Sequence, residues 1–156
     1  MNSNRGYFGI GVYKPKTETN IGTLYRSAHS FGADFIFIIG KRYKKQPSDT
    51  LNSTLHLPLY EFTTWEDFKE HLPKGCQIVC IELDERAKDL KTFCHPERAV
   101  YVLGAEDNGI PKEYLKTHQI IQISGGKYCL NVAVAGSIIL YDRINKNENR
   151  MSRMFW

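Results

Sequence analysis

Four cysteines in 156 residues, Cys76, Cys80, Cys94 and Cys129, are too few for a disulfide-stapled scaffold, and three sit in or beside apolar runs that read as core. A reducing cytoplasm is the expected compartment. Cys76, Cys80, Cys94 and His95 offer four metal donors, but a C-x3-C spacing followed by an isolated C-H pair matches no standard zinc pattern, so no metal is expected. Long hydrophobic runs are missing too. The longest nearly apolar stretch, Val132 to Tyr141, is about half of the roughly 20 residues that cross a bilayer. Met1-Asn2-Ser3-Asn4-Arg5 holds no apolar signal region and no small-residue cleavage site, so neither export nor a membrane partner is expected. Charge of one sign is not in large excess, with 21 Lys and Arg against 17 Asp and Glu and a formal net charge of +4. That balance permits a polyanion-binding surface without requiring one, and clustering decides. Lys41, Arg42, Lys44 and Lys45 form one basic cluster; Arg143, Lys146, Arg150 and Arg153 form a second near the end.

What is present is a packing inventory: 42% hydrophobic residues with eight Phe, nine Tyr and two Trp, enough for one globular domain, read here as residues 1–145 with a short tail over 146–156. Tyr7 to Tyr13 alternates as a strand and breaks at Lys14-Pro15-Lys16. A helix follows, capped by Thr19 or Asn20, with Ile21, Leu24, Tyr25, Ala28 and Phe31 at helical spacing and Gly32 as its stop. Asp34 to Ile39, Gln77 to Leu83, Ala99 to Leu103 and Ile120 to Ile123 are the continuous apolar runs of strands covered on both faces, and Leu59 to Phe62 is a shorter strand. Residues 46–58 read as an irregular loop, Thr64 to Leu72 as a short helix, and Pro111 as the start of another. The sum is an α/β chain with a mainly parallel sheet and helices on both faces. The final helix, Asn131 to Ile144, is apolar nearly all round: Val132 and Ile139 share one face, Ala133, Leu140 and Ile144 a second, Val134, Ile138 and Tyr141 a third. Such a helix needs cover on more than one side, most simply from a second copy of the chain.

Three segments at strand ends carry the chemistry, since ligands of α/β sheets collect beyond the carboxyl ends of the strands. The first is Asn20-x-Gly22-x-x-x-Arg26 with Phe31-Gly32 behind it; on a helical wheel Arg26 points away from the apolar stripe. The second is Gly104-Ala105-Glu106-Asp107-Asn108-Gly109, a turn that places a carboxylate at a strand tip. The third runs from Ile121 through Ser124-Gly125-Gly126 to Cys129-Leu130-Asn131, where Asn131 caps the last helix. It lacks the Walker spacing and Gly-x-Gly-x-x-Gly, so ordinary NTPase and dinucleotide readings are weak.

In this order the three segments resemble the SpoU (TrmH) branch of the SPOUT RNA methyltransferases, whose motifs read as Asn-x-Gly-x-x-x-Arg with a following Phe-Gly, a Gly-x-Glu-x-x-Gly after a strand, and an Ile-x-Ile loop ending in Ser-Leu-Asn. The resemblance covers about 120 residues, and its signal lies in the combination rather than in any one motif. It implies a C-terminal deep trefoil knot (an α/β knot), a homodimer with active sites at the subunit interface, and S-adenosylmethionine as cofactor. By motif matching the cofactor is held mainly by backbone from Ile81, Glu82, Leu83, Leu103, Gly104, Glu106, Ile121, Ile123, Cys129, Leu130, Asn131 and Ala133. The implied reaction is methyl transfer to a ribose 2′-hydroxyl of RNA, with tRNA preferred and ribosomal RNA as the alternative. Arg26, Asn20 and Glu106 are the implied catalytic set. Because guanidinium is a poor base, Arg26 is read as orienting a phosphate and stabilising the emerging oxyanion, the proton leaving to phosphate or water. The family serine is Cys129 here, which puts any side-chain contact at that position in doubt while leaving backbone contacts intact.

Two rivals are weighed against this reading. A non-catalytic RNA-binding relative is disfavoured because Asn20, Arg26, Glu106 and Asn131 are all present. A receiver-like signalling domain needs an acidic pocket at its early strand ends, whereas the first strand here ends in Tyr13-Lys14-Pro15-Lys16. No added RNA-binding module is visible, so RNA is expected to meet the dimer itself through Arg26, Lys41, Arg42, Lys44 and Lys45, with help from the Arg143 to Arg153 segment.

Overall fold

The computed structural model describes residues 6–44 and 56–154, with side chains described as far as Glu148. Lys45 and most of the loop expected over 46–58 lie outside the described residues, as do the side chains of Arg150 and Arg153. Among the described residues seven strands form one sheet: β1 (Tyr7–Tyr13), β2 (Phe35–Ile39), β3 (Leu59–Phe62), β4 (Gln77–Ile81), β5 (Lys88–Asp89), β6 (Arg98–Gly104) and β7 (Gln119–Gln122). Their spatial order is β3-β2-β1-β6-β4-β7-β5, and every pairing is parallel.

Alternation of side chains across the pleat divides the core in two. Phe8, Ile10 and Val12 of β1, Ile36 and Ile38 of β2 and Tyr101 of β6 face one layer, which α1 (Glu18–Ser30) and α4 (Val132–Met154) cover with Ile21, Leu24, Ala28, Ile139 and Leu140. Phe35, Phe37, Ile78, Val100 and Val102 face the other, covered by Trp65 and Phe68 of α2 (Trp65–Glu70) and Leu115 of α3 (Lys112–Leu115). Burial on both faces is why these strands read as unbroken apolar runs.

The structure moves several expected boundaries. Helix α1 begins two or three residues early, with Thr17 as N-cap and Glu18 in its first turn, so neither Thr19 nor Asn20 caps it. An acidic residue at that end suits the helix dipole, and Asn20 is left free for other partners. Thr64 does cap α2, its hydroxyl accepting from the Asp67 amide. Two short elements, β5 and a 3-10 turn over Leu90–Thr92, were not expected. Helix α4 continues to Met154, through the segment read as tail.

Arg143 and Lys146 are a clear correction: they are not free tail charges. Arg143 is fully buried, donating from Nη1 to the Pro96 carbonyl at 2.7 Å and to the Tyr101 hydroxyl at 3.0 Å, and from Nη2 to the Glu97 carbonyl at 2.9 Å. Its guanidinium lies 4.4 Å from the Phe8 ring centroid. The Tyr101 hydroxyl lies 2.6 Å from His95 Nδ1, and His95 Nε2 lies 2.7 Å from Asp142. Burial pushes the His95 pKa down, and in the neutral imidazole Nδ1 accepts from Tyr101 while Nε2 donates to Asp142. Lys146 donates to the Leu90 and Phe93 carbonyls and pairs with Asp142. A long helix end is thus fastened to the amino-terminal end of β6 by buried hydrogen bonds and an ion pair.

The three faces of α4 fare differently. Val132, Ala133, Ile139 and Leu140 are buried, and Gly136 lets the helix approach so closely that a Cβ there would lie 2.5 Å from Leu24 Cδ1 and 3.0 Å from Leu103 Cδ1. Val134 and Tyr141 remain 46% and 60% exposed, with Tyr141 edge-on to Phe31, the residue after α1, at 6.2 Å. Among the described residues no helix is long and apolar enough to cross a membrane.

Candidate active site

Strands β1, β6, β4 and β7 are neighbours, so the segments leaving their carboxyl ends converge on one end of the sheet. There Asn20, Glu106 and Asn131, separated by as many as 111 residues in sequence, join in one network. Asn131 Nδ2 donates to Glu106 Oε1 and to Asn20 Oδ1, both at 3.0 Å, and Asn20 Nδ2 donates to Glu106 Oε1 at 3.4 Å. Asn131 Oδ1 meanwhile accepts from the backbone amides of Ala133 at 2.9 Å and Val134 at 3.2 Å. One amide side chain therefore caps α4 with its oxygen and holds the other two motifs with its nitrogen. Glu106 is exposed, and its carboxylate has further acceptor capacity beyond these two bonds.

Beside this network opens a cavity of about 440 Å³ lined from the β4, β6 and β7 loops and the start of α4. Of the expected cofactor residues, Ile81, Glu82, Leu83, Leu103, Gly104, Glu106, Ile123, Cys129 and Leu130 line it. Ile121 and Ala133 are instead packed in the core, and Asn131 stands in the side-chain network. Ala135 and Val132, one helical face away from Ala133, line the wall. Asn108, Gln122, Lys127 and Tyr128, from within the second and third segments, also line the cavity, as do Asp84 and Lys112, which lie outside all three and carry no motif signal. Tyr128 is 79% exposed at the wall and Cys129 is exposed, not packed.

Glu82 has a second function that its motif position did not suggest. Its carboxylate accepts from the Ile110 amide at 3.0 Å and from the Leu83 amide at 3.2 Å, bracing the turn after β6 from inside. Gly109 lies against it at φ +62°, where a Cβ would sit 2.6 Å from a Glu82 oxygen, so close approach and backbone conformation both require glycine.

The expected RNA-contacting cations separate into two groups. Arg26 is exposed on α1 and has no partner among the described residues, as its position opposite the apolar stripe predicts. Lys44 is also exposed. Lys41 pairs with Glu61 at 3.2 Å, and Arg42 makes a two-pronged contact to Asp107 at 2.7 and 2.9 Å. The Arg42 guanidinium holds the Asp107 carboxyl well below the usual range, at about 2. Basic sequence at 41–42 is thus already matched by acid within the chain.

Residues 8–141 match the SpoU rRNA Methylase family. The chain belongs to this family. Its SpoU relatives include the tRNA (guanosine(18)-2'-O)-methyltransferase of Escherichia coli K12, 27% identical over 144 residues, which are 88% of this chain and 62% of that protein. The chain thus spans under two thirds of that relative's length. Among solved SpoU-like structures, one from work on 2-OH methylation of C/U34 on tRNA superposes with a TM-score of 0.79 at 22% identity, covering 93% of this chain and 99% of that one. An AdoMet-bound rRNA methyltransferase from Sinorhizobium meliloti gives 0.76 at 24% identity, covering 90% and 57%, and the A. aeolicus TrmH/SpoU tRNA modifying enzyme gives 0.76 at 23%, covering 92% and 76%.

Proposed function

We propose that this SpoU protein transfers a methyl group from S-adenosylmethionine to a ribose 2′-hydroxyl of RNA, with tRNA as substrate. The observation that carries the reading is the meeting of Asn20, Glu106 and Asn131 at the edge of a cavity large enough for a cofactor. A volume of about 440 Å³ falls within the range of roughly 300–1,000 Å³ usual for such sites. Apolar walls from Ile81, Leu103, Ile123 and Val132 suit a nucleoside, and the acidic Glu82, Asp84 and Glu106 suit a ligand with a cationic centre. When bound, S-adenosylmethionine supplies an electrophilic methyl on its sulfonium.

The chain's residues supply position and charge. Backbone of the loops after β4, β6 and β7 would hold the cofactor. Asn131 and Asn20 fix the Glu106 carboxylate, leaving it to orient a ribose hydroxyl or the cofactor. The exposed Arg26 orients a phosphate beside the target ribose and stabilises the oxyanion as it emerges, while the hydroxyl proton passes to phosphate or water. Methylated tRNA is the preferred product because the E. coli relative and the C/U34 structure both concern tRNA; ribosomal RNA is the second reading, favoured by the S. meliloti likeness.

The same proposal includes a trefoil knot in which the C-terminal helix threads the preceding loops, and a cytoplasmic homodimer buried through Val134, Ile138 and Tyr141. Residues 1–145 would form the catalytic unit, with the end of α4 as an appendage. The test is transfer of labelled methyl from S-adenosylmethionine to separate pools of unmodified tRNA and ribosomal RNA. Label on a 2′-oxygen in the tRNA pool is expected; label on a base, or none in either pool, would contradict the reading.

A further inference from the structure

Arg42 connects three loops at the catalytic end of the sheet. Nη1 and Nη2 grip both Asp107 oxygens at 2.9 and 2.7 Å, Nε donates to the Lys14 carbonyl at 2.8 Å, and its own amide donates to the Pro15 carbonyl at 3.3 Å. Lys14 adopts φ +49°, a left-handed conformation uncommon for a side-chain-bearing residue, and its amide donates to the Ile39 carbonyl at 2.6 Å. The Lys14–Thr17 segment leads directly into α1 and Asn20, while Asp107 follows Glu106 in the chain.

The turn after β6 exposes Glu106, Asp107 and Asn108 together. Glu82 braces its inner side through Ile110, and on its outer side the Asp107 carboxylate is gripped by Arg42. We infer that Arg42 is a positioning residue: through Asp107 and Lys14 it sets the separation between the loop carrying Glu106 and the helix carrying Asn20. The Asn20 to Glu106 contact, at 3.4 Å the longest of its network, is the one most exposed to any change in that separation. A guanidinium fork fits this duty and an ammonium does not, since only the fork reaches two carboxylate oxygens and a carbonyl at once. Basic character at position 42 therefore serves the loop, not the RNA backbone.

The inference rests on the methyl-transfer reading for its kinetic arm alone. Arg42→Lys, Arg42→Gln and Asp107→Asn are compared with wild type by hydrogen exchange over residues 104–109, by RNA affinity against salt, and by single-turnover methyl transfer. Faster exchange in that turn is expected in all three variants whether or not the protein methylates RNA. Where it does, the transfer rate is expected to fall about tenfold or more, as small misplacements at reacting centres do. RNA affinity and its salt slope stay unchanged, and Arg42→Lys does not rescue. Unchanged exchange in Arg42→Gln overturns the clasp. So does rescue by Arg42→Lys with a salt slope lowered by about one in Arg42→Gln, the signature of a phosphate contact. Loss of transfer by wild type itself, with exchange behaving as expected, refutes the methyl-transfer reading and leaves the clasp standing.

Discussion

Asn131 does two jobs with two atoms, and two substitutions separate them. Asn131→Ala removes Oδ1 from the Ala133 and Val134 amides and Nδ2 from Glu106 and Asn20 together. Loss of an N-cap oxygen costs about 1 kcal/mol, within a range of roughly 0.5–2. In a domain of this size that lowers Tm by about 2–4 °C per kcal/mol. Asn131→Asp keeps a capping oxygen, favourably placed at a helix amino terminus, but replaces the donor toward Glu106 with a second carboxylate. Both proteins are followed by thermal unfolding at equal protomer concentration and by single-turnover methyl transfer. Alanine is expected to lose stability and activity; aspartate is expected to keep wild-type stability while its rate falls by about tenfold or more, because Glu106 and Asn20 lose their common anchor. An aspartate variant as active as wild type would refute the network's catalytic role, and an alanine variant as stable as wild type would refute the capping argument.

Gly136→Ala forces a methyl against Leu24 and Leu103 where a Cβ has no room, and is expected to destabilise by about 1–3 kcal/mol in chemical denaturation. Val134→Glu with Tyr141→Glu places charge on the uncovered face of α4, and light scattering at micromolar protein is expected to give a dimer for wild type and a monomer for the variant. For pH, burial lowers the His95 pKa below its ordinary 6.5, so the unfolded chain takes up the proton first. Stability is complete above about 6.5 and falls as the pH drops through the window beneath it. His118, lowered by burial and by Lys69, acts in the same direction, and His95→Gln is expected to flatten but not abolish the slope between about pH 7 and about pH 5.

Strands β1, β2, β4, β6 and β7 were legible because each is covered on both faces and so carries its apolar signal without interruption. The two-residue β5 has no such signal; it exists because the chain passing from β4 happens to lie beside β7. Neither Thr19 nor Asn20 turned out to cap α1, since a cap reads only local sequence while Asn20 is recruited by Glu106, 86 residues away. Motif order brought Asn20, Glu106 and Asn131 to attention, but only the fold shows that one Asn131 nitrogen touches both others. The basic residues were the least legible. Arg143 reads as surface charge until Tyr101, Pro96 and Glu97 are seen around it, and the pairing of Arg42 with Asp107, 65 residues away, leaves no mark in the local sequence. Charge in a sequence states what a residue carries, and its partners are set by long-range packing.

We propose that the Asn20, Glu106 and Asn131 network and the exposed Arg26 form a site for RNA ribose methylation. Its most direct test is single-turnover transfer of labelled methyl to unmodified tRNA by wild type and Arg26→Ala, with cofactor binding measured on the same samples. Wild type is expected to place label on a ribose 2′-oxygen, and Arg26→Ala to bind the cofactor equally well while its rate falls by about 100-fold or more, the scale for removing a group that stabilises a developing oxyanion. Equal rates in the two proteins would contradict the account.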